Sequence, residues 1–292
     1  MGISHPNTAL HCIGWQMPQQ GTSHPQGERA LHDRTPAPCA ICPHGFSCLP
    51  SALSRHDEQA MAASTAVRAL LLHKGEPLSK RAQIAGNLFV VRSGTFKSEV
   101  TLKAGATRVL GFHEPGDFMA ADTMLGGIPS AERFALQDST VCAIDIWRLE
   151  TMAASNPALG TFITRIAAGT LVQAQQAVFA LGGLSATGRL AWFLMRISER
   201  RRSRGLDPRA LSLPLRNQDV GSYLGLSQAR IGRLFTALHR SGVISRHDQD
   251  IRILDLSRLA ELAHLEIGKA AEGLDTALQA RTRDKRCPSI VT

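Results

Sequence analysis

No stretch of this 292-residue chain approaches the roughly 18 consecutive apolar residues that a membrane-spanning helix needs. The opening residues, MGISHPNTALHCIGWQMPQQ, lack the charged start, apolar run and cleavage site of a secretory signal. From those two absences the protein is expected in the cytosol, where thiols stay reduced. There is no glycine-rich phosphate loop, no G-x-S-x-G elbow and no H-E-x-x-H helix, so an enzyme is not expected. Tight second pairs of the C-x2-C or H-x3-H kind, which usually close a structural zinc site, are also missing.

What is present is an excess of positive charge. Lys and Arg number 33 against 24 acidic residues, a formal net charge of +9. A balance of that size favours a polyanionic partner such as nucleic acid, although many enzymes are equally basic. Hydrophobic content of 43% and charged content of 20% are ordinary for a globular protein, and the length allows two modest domains with tails.

Residues 1 to about 37 are rich in Pro, Gly, His and Gln without hydrophobic periodicity, which suggests a flexible tail. A short cysteine segment follows, and then good helix formers to about residue 72. From His73 onward Gly and Pro recur at short intervals between β-rich runs at 88–92, 95–100, 109–112 and 140–144, the texture of a β-roll or barrel. Beyond Asn156-Pro157 the pattern turns helical. Ala167, Leu171, Ala174, Val178 and Leu181 alternate by four and three residues, a coiled-coil seam; the alternative is a helix packed on its own domain, but the small alanines suit close approach of a twin helix. Gly182-Gly183 ends that helix, and a second amphipathic helix runs from Ser185 to about residue 202.

Residues 217–238 read NQDVGSYLGLSQARIGRLFTAL. The first half predicts a helix burying Val220, Tyr223 and Leu224, and Gly225 supplies a bend requiring positive φ. Ser227 stands where a helix N-cap belongs. Ile231, Leu234, Phe235 and Leu238 then follow the spacing of one buried face. The opposite face offers Gln228, Ala229, Arg230, Gly232, Arg233 and Thr236 to a major groove. Two β-rich runs at 242–246 and 251–254, around a polar turn at 247–250, predict a hairpin wing behind it. Bend, cap and wing together point to a winged helix-turn-helix rather than a generic helix pair.

Cys39, Cys42 and Cys48 form C-x2-C-x5-C, with Cys142 far away in the β-rich region. Thiolates are soft ligands for zinc or for iron–sulfur clusters. His44 is an alternative fourth zinc ligand, and Cys142 is equally readable as a small core residue alternating with Ile144. Cys12 and Cys287 lie in the tails and carry no expected role.

Over residues 38 to about 265 the chain resembles the Crp/Fnr family, within it the Fnr branch of oxygen-responsive regulators. The resemblance rests on the cysteine spacing, on LHKGEPL, FVVRSGTFKS and PGDF, on STVCAI around Cys142, and on the helix-turn-helix. It implies an α+β fold: an N-terminal double-stranded β-helix (jelly-roll) sensor domain, a long dimerisation helix and a C-terminal winged helix-turn-helix. The expected boundaries are a tail at 1–37, cysteine loop and β-roll at 38–152, dimerisation helix at 153–184, DNA-binding domain at 185–265 and a second tail at 266–292. It further implies Cys39, Cys42, Cys48 and Cys142 as ligands of an oxygen-labile [4Fe–4S] cluster. The expected partners are a second copy of the chain, double-stranded DNA carrying an inverted repeat, and RNA polymerase. Two departures stand out. The recognition helix reads Ala229-Arg230-Ile231-Gly232-Arg233 where the branch has Glu-Thr-(Ile/Val)-Ser-Arg, so only the last Arg is kept. Cyclic-nucleotide-binding relatives carry a Glu and an Arg-Ser pair where Ala121, Ala131 and Glu132 stand here, so cyclic AMP is not an expected ligand.

Overall fold

The computed structural model describes Cys42, Cys48 and residues 67–103, 105–122, 131–212 and 214–263. Cys12, Cys39, His44, Cys287 and both predicted tails lie outside the described residues.

Seven strands build the roll: β1 (Val67–Leu72), β2 (Asn87–Ser93), β3 (Phe96–Thr101), β4 (Thr107–His113), β5 (Phe118–Met119), β6 (Glu132–Ala135) and β7 (Ser139–Asp145). They form two sheets, ordered β1-β7-β2-β5 and β4-β3-β6, with every pairing antiparallel. Alternation decides which side chains meet between the sheets. Leu70, Leu72, Phe89, Val91, Phe96, Met119, Ala135, Val141 and Ala143 share one apolar cluster. The stretch Val67–Leu72, rich in helix-favouring Ala and Leu, is a strand. Its backbone pairs with β7 over its whole length and buries Val67, Leu70 and Leu72, so tertiary pairing overrides local propensity.

Helix α1 (Ile146–Ser155) leaves the roll, and α2 (Pro157–Gly183) follows after a single break. That break is chemical. Asn156 Oδ1 accepts from the backbone N–H groups of Ala158 and Leu159, and Pro157 occupies the first helical position, where its missing N–H costs nothing. Helix α3 (Ala186–Ser203) begins at Ser185, whose Oγ accepts from Gly188 N at 3.1 Å. The remaining elements are β8 (Ala210–Ser212), α4 (Asn217–Leu224), α5 (Gln228–Arg240), β9 (Ile244–His247), β10 (Asp250–Ile253) and α6 (Leu256–Leu262). Strands β8, β10 and β9 make a three-stranded sheet, one strand more than the predicted hairpin. The wing's turn is also tighter than expected, because His247 and Asp250 pair across it and Asp248 takes φ +52°.

Candidate functional site

The helix-turn-helix is assembled by close backbone approach. A Cβ on Gly221 of α4 would sit 2.5 Å from the Leu226 carbonyl, so only glycine lets the turn fold back on the helix. Gly225 closes α4 in the left-handed region at φ +68°. Ser227 then caps α5, its Oγ accepting from Arg230 N at 3.3 Å. Val220, Leu224, Ile231, Phe235 and Leu238 are buried, each side chain contributing about 1.5–3 kcal/mol of apolar burial. Tyr223, expected inside with them, is half-buried at the rim of this core.

With that face consumed, α5 presents the other. Ser227, Gln228, Ala229, Arg230, Arg233 and Thr236 are exposed, and Gly232 is half-buried beside Asn217. The guanidinium groups of Arg230 and Arg233 enter no hydrogen bond or ion pair among the described residues. The wing is fastened to both helices by one side chain: Arg246 donates to Asn217 Oδ1 at 3.0 Å and lies 4.0 Å over the Phe235 ring.

A second set of contacts, invisible in the sequence, lays α4 and α3 across the outer face of β3 and β4. Lys97 Nζ bridges Glu99 at 2.6 Å and Asp219 of α4 at 2.9 Å, and Arg216 holds the second Asp219 oxygen at 2.9 Å. Burial alone would raise the Asp219 carboxyl; hydrogen bonds from Arg216 and Lys97 outweigh it and hold the group below the usual carboxylate range. The Lys97 ammonium is opposed by burial too, but Glu99 and Asp219 hold it above its ordinary value. Val109 N donates to Ser222 Oγ at 2.9 Å, and the Phe112 ring meets Phe193 and Tyr223 at 5.6 Å. Asp117 accepts from Arg200 at 3.3 Å and from Arg204. On the inner face, His113 bonds Ser98 Oγ at 2.7 Å. Removal from water pushes its pKa down to about 4, so it is neutral at pH 7. Arg133, also inside the roll, is committed to Asp122 at 2.8 Å and to the Ala131 carbonyl.

Cys142 lies on β7, with Cys42 and Cys48 on the cysteine segment; all three are half-buried thiols. Cys142 points away from the sheet-to-sheet core, on the same face as Ile144. There Cys48 and Cys142 border one apolar cluster with Leu88, Val90, Ile144 and Leu149, and Phe162, Ile163 and Ile166 of α2 pack on it. Among the described residues no three His, Cys, Asp or Glu side chains converge as a metal site; Cys39 lies outside them. Along α2 the seam positions Ala167, Leu171, Ala174 and Val178 are exposed, Leu171 by 60% and Val178 by 72%, while Leu181 is half-buried. No described helix is long and apolar enough to cross a membrane.

The family comparisons agree with this architecture. Residues 70–156 match the cyclic nucleotide-binding domain and residues 188–262 the Crp-like helix-turn-helix domain. The chain is 30% identical to the transcriptional activator protein anr of Pseudomonas aeruginosa over 227 residues, 78% of this chain and 93% of that protein. It is likewise 30% identical to the fumarate and nitrate reduction regulatory protein of Escherichia coli over 225 residues, covering 77% and 90%. The solved structure of FixK2 from Bradyrhizobium japonicum superimposes with a TM-score of 0.60 at 25% identity, over 70% of this chain and 99% of that one. A CooA variant from Carboxydothermus hydrogenoformans shares the fold at 18% identity, with a TM-score of 0.55 over 69% of this chain and 89% of that one. With its jelly roll, long helix and exposed recognition helix in place, the chain belongs to the Crp/Fnr family and is a DNA-binding transcriptional regulator of the Fnr/Anr type.

Proposed function

We propose that this regulator responds to oxygen through a [4Fe–4S] cluster held by Cys39, Cys42, Cys48 and Cys142, and that it controls genes of low-oxygen metabolism from the cytoplasm. The observation that carries the reading is the shared apolar cluster beneath Cys48 and Cys142, which the first turns of α2 also enter. The three described thiols, Cys42, Cys48 and Cys142, fit the group: they are soft donors, half shielded from water, with Cys142 on a rigid strand. When bound, the cluster supplies a centre that reacts with oxygen. The chain's own part is mechanical. Cys142 fixes one donor on β7, and the position of the Cys48 segment is felt by Phe162, Ile163 and Ile166.

The exposed stripe of Leu171, Val178 and Phe179 supports pairing of α2 with a second copy, since apolar side chains at 60–72% exposure are costly to leave in water. A two-fold dimer places two α5 helices about one turn of DNA apart (~34 Å), so the site is an inverted repeat, read beside RNA polymerase. Residues Ser227 to Arg233, Ile231 excepted, form the reading face. Protein purified without oxygen should be brown, with iron and acid-labile sulfide near four each per chain, on the order expected for one cluster. Cys42→Ser and Cys142→Ser should abolish the colour and weaken dimerisation. Stoichiometric zinc without iron would refute the proposal.

A further inference from the structure

We infer that Arg108, carried by the sensor roll, grips a DNA phosphate beside the groove that α5 enters, so that the roll itself forms part of the DNA-binding surface. Strand β4 is pinned to α4, one residue from Arg108, by the Val109 N to Ser222 Oγ bond of 2.9 Å. From that anchor the Arg108 guanidinium reaches to 3.3 Å of the place a Gly225 Cβ would occupy. Arg189 of α3 reaches the same spot, at 3.6 Å. Two guanidinium groups from different domains therefore converge on the turn of the helix-turn-helix.

Neither is neutralised among the described residues. Arg189 donates to two backbone carbonyls, Leu184 at 3.1 Å and Leu224 at 3.2 Å, and meets no carboxylate among them. Arg108 is exposed and enters no ion pair or side-chain hydrogen bond among the described residues. Other cations of the roll and its interface contrast with them: Lys97 is matched by Glu99 and Asp219, Arg133 by Asp122, Arg200 and Arg204 by Asp117. Like charges held side by side without a counter-anion raise the local potential and favour an incoming anion.

Position says which anion. Gly225 is exposed and precedes the α5 cap, Ser227, by two residues, a span of at most ~7.2 Å. A helix seated in the major groove, ~12 Å wide, has phosphates along both sides of its leading end. An arginine beside the cap is within reach of that backbone, and its planar fork suits phosphate oxygens. Because β4 also carries the contacts to α4, the phosphate contact exists only while the roll and the DNA-binding domain keep this arrangement.

The test uses the full-length protein in its DNA-binding state, with a duplex recovered by selection and a scrambled duplex of equal length. Affinity is measured at several potassium chloride concentrations for wild type, Arg108→Ala, Arg108→Gln and Arg108→Lys. Losing one phosphate contact per subunit should flatten the slope of log K against log salt by ~0.9 per subunit, ~1.8 per dimer. Both duplexes should weaken by a similar factor, and Arg108→Lys should restore most of the slope. Arg233→Ala serves as the control for base reading and should act on the selected duplex alone, so failure of the two assignments is distinguishable. Unfolding curves matching wild type establish that the exposed substitutions leave the fold intact. An unchanged salt slope in both Arg108→Ala and Arg108→Gln overturns the inference. So does normal DNA affinity with reduced transcription by purified RNA polymerase, which would assign Arg108 to a protein contact.

Discussion

Replacing Lys97 by Ala removes a cation that joins the roll to α4, and the structure sets the size of the effect. Its ammonium is shared between Glu99 at 2.6 Å and Asp219 at 2.9 Å, with the Lys97 and Asp219 side chains 11% and 4% exposed. Breaking a buried pair from one side costs about 3–5 kcal/mol, because the remaining charge is stranded away from water. Here Asp219 keeps Arg216, so about 2–3 kcal/mol is expected, most of it from Glu99 and the half-satisfied Asp219. Arg216→Ala removes the other Asp219 partner, but that side chain is 67% exposed and should cost no more than about 1 kcal/mol. The pair of variants thus separates burial from mere charge. Urea unfolding at pH 7 should be followed by far-ultraviolet circular dichroism and by fluorescence of Trp192, which is buried beside Tyr223 in the DNA-binding domain. Lys97→Ala should lower stability and pull the two probes apart, since the domains lose one of the contacts that make them unfold together. Asp219 is held below its usual range and Lys97 above its own, so the pair stabilises the fold above about pH 3.9 and below about pH 10.4. That contribution is lost only as pH falls further below the first or rises further above the second. If Arg216→Ala proved as destabilising as Lys97→Ala, the argument from burial would be wrong.

Gly221→Ala should disrupt the helix-turn-helix by more than ~3 kcal/mol, since the Leu226 carbonyl 2.5 Å away cannot yield, whereas Gly225→Ala should cost only the ~1–2 kcal/mol of a left-handed residue; equal melting temperatures would contradict this. Arg233→Ala should weaken the preferred DNA site by about 1–3 kcal/mol and flatten preference at one guanine, while positions opposite Ala229 and Gly232 are relaxed; a selected consensus equally stringent at every position would speak against it. His113, half-buried and with a pKa near 4 against an ordinary 6.5, is neutral at pH 7, so its contribution is complete above about pH 6.5 and is lost as pH falls toward 4, on the order of 3 kcal/mol. Acid unfolding of His113→Gln should show most of that dependence gone. Calorimetry with cyclic AMP should detect no micromolar binding, because Arg133 is already committed to Asp122, and Ala131 and Glu132 stand where cyclic-nucleotide-binding relatives carry an Arg-Ser pair; heat that disappears in Arg133→Ala would reverse the conclusion.

Features set by a few neighbouring residues were legible in the sequence. The left-handed Gly225, the Ser227 cap, the buried Ile231-Phe235-Leu238 face and the exposed Arg233 all follow from spacing within one or two helical turns. The alternation of Cys142 with Ile144 likewise gave the strand face on which both lie, because side chains on a strand repeat every two residues. Val67–Leu72 was not legible as a strand, since its helix-favouring residues are overruled by a partner strand some seventy positions away in the chain, of order the whole roll. The same holds for β8, whose three residues form a strand only because β10 pairs with them.

The interface between sensor and DNA-binding domain belongs wholly to the tertiary structure. Lys97 and Asp219 are 122 residues apart, and nothing in either neighbourhood marks them as partners. Val109 and Phe112 look like ordinary strand residues until α4 and α3 cover them. Arg108 reads as one exposed cation among many until β4 carries it to the turn at Gly225. Periodicity, caps and glycine bends act through bonds and sterics within a few residues, so the sequence by itself determined the elements and the face each one buries. Which buried faces meet, and which charges must then share a site away from water, depends on packing of the whole chain, and only the folded molecule decided that.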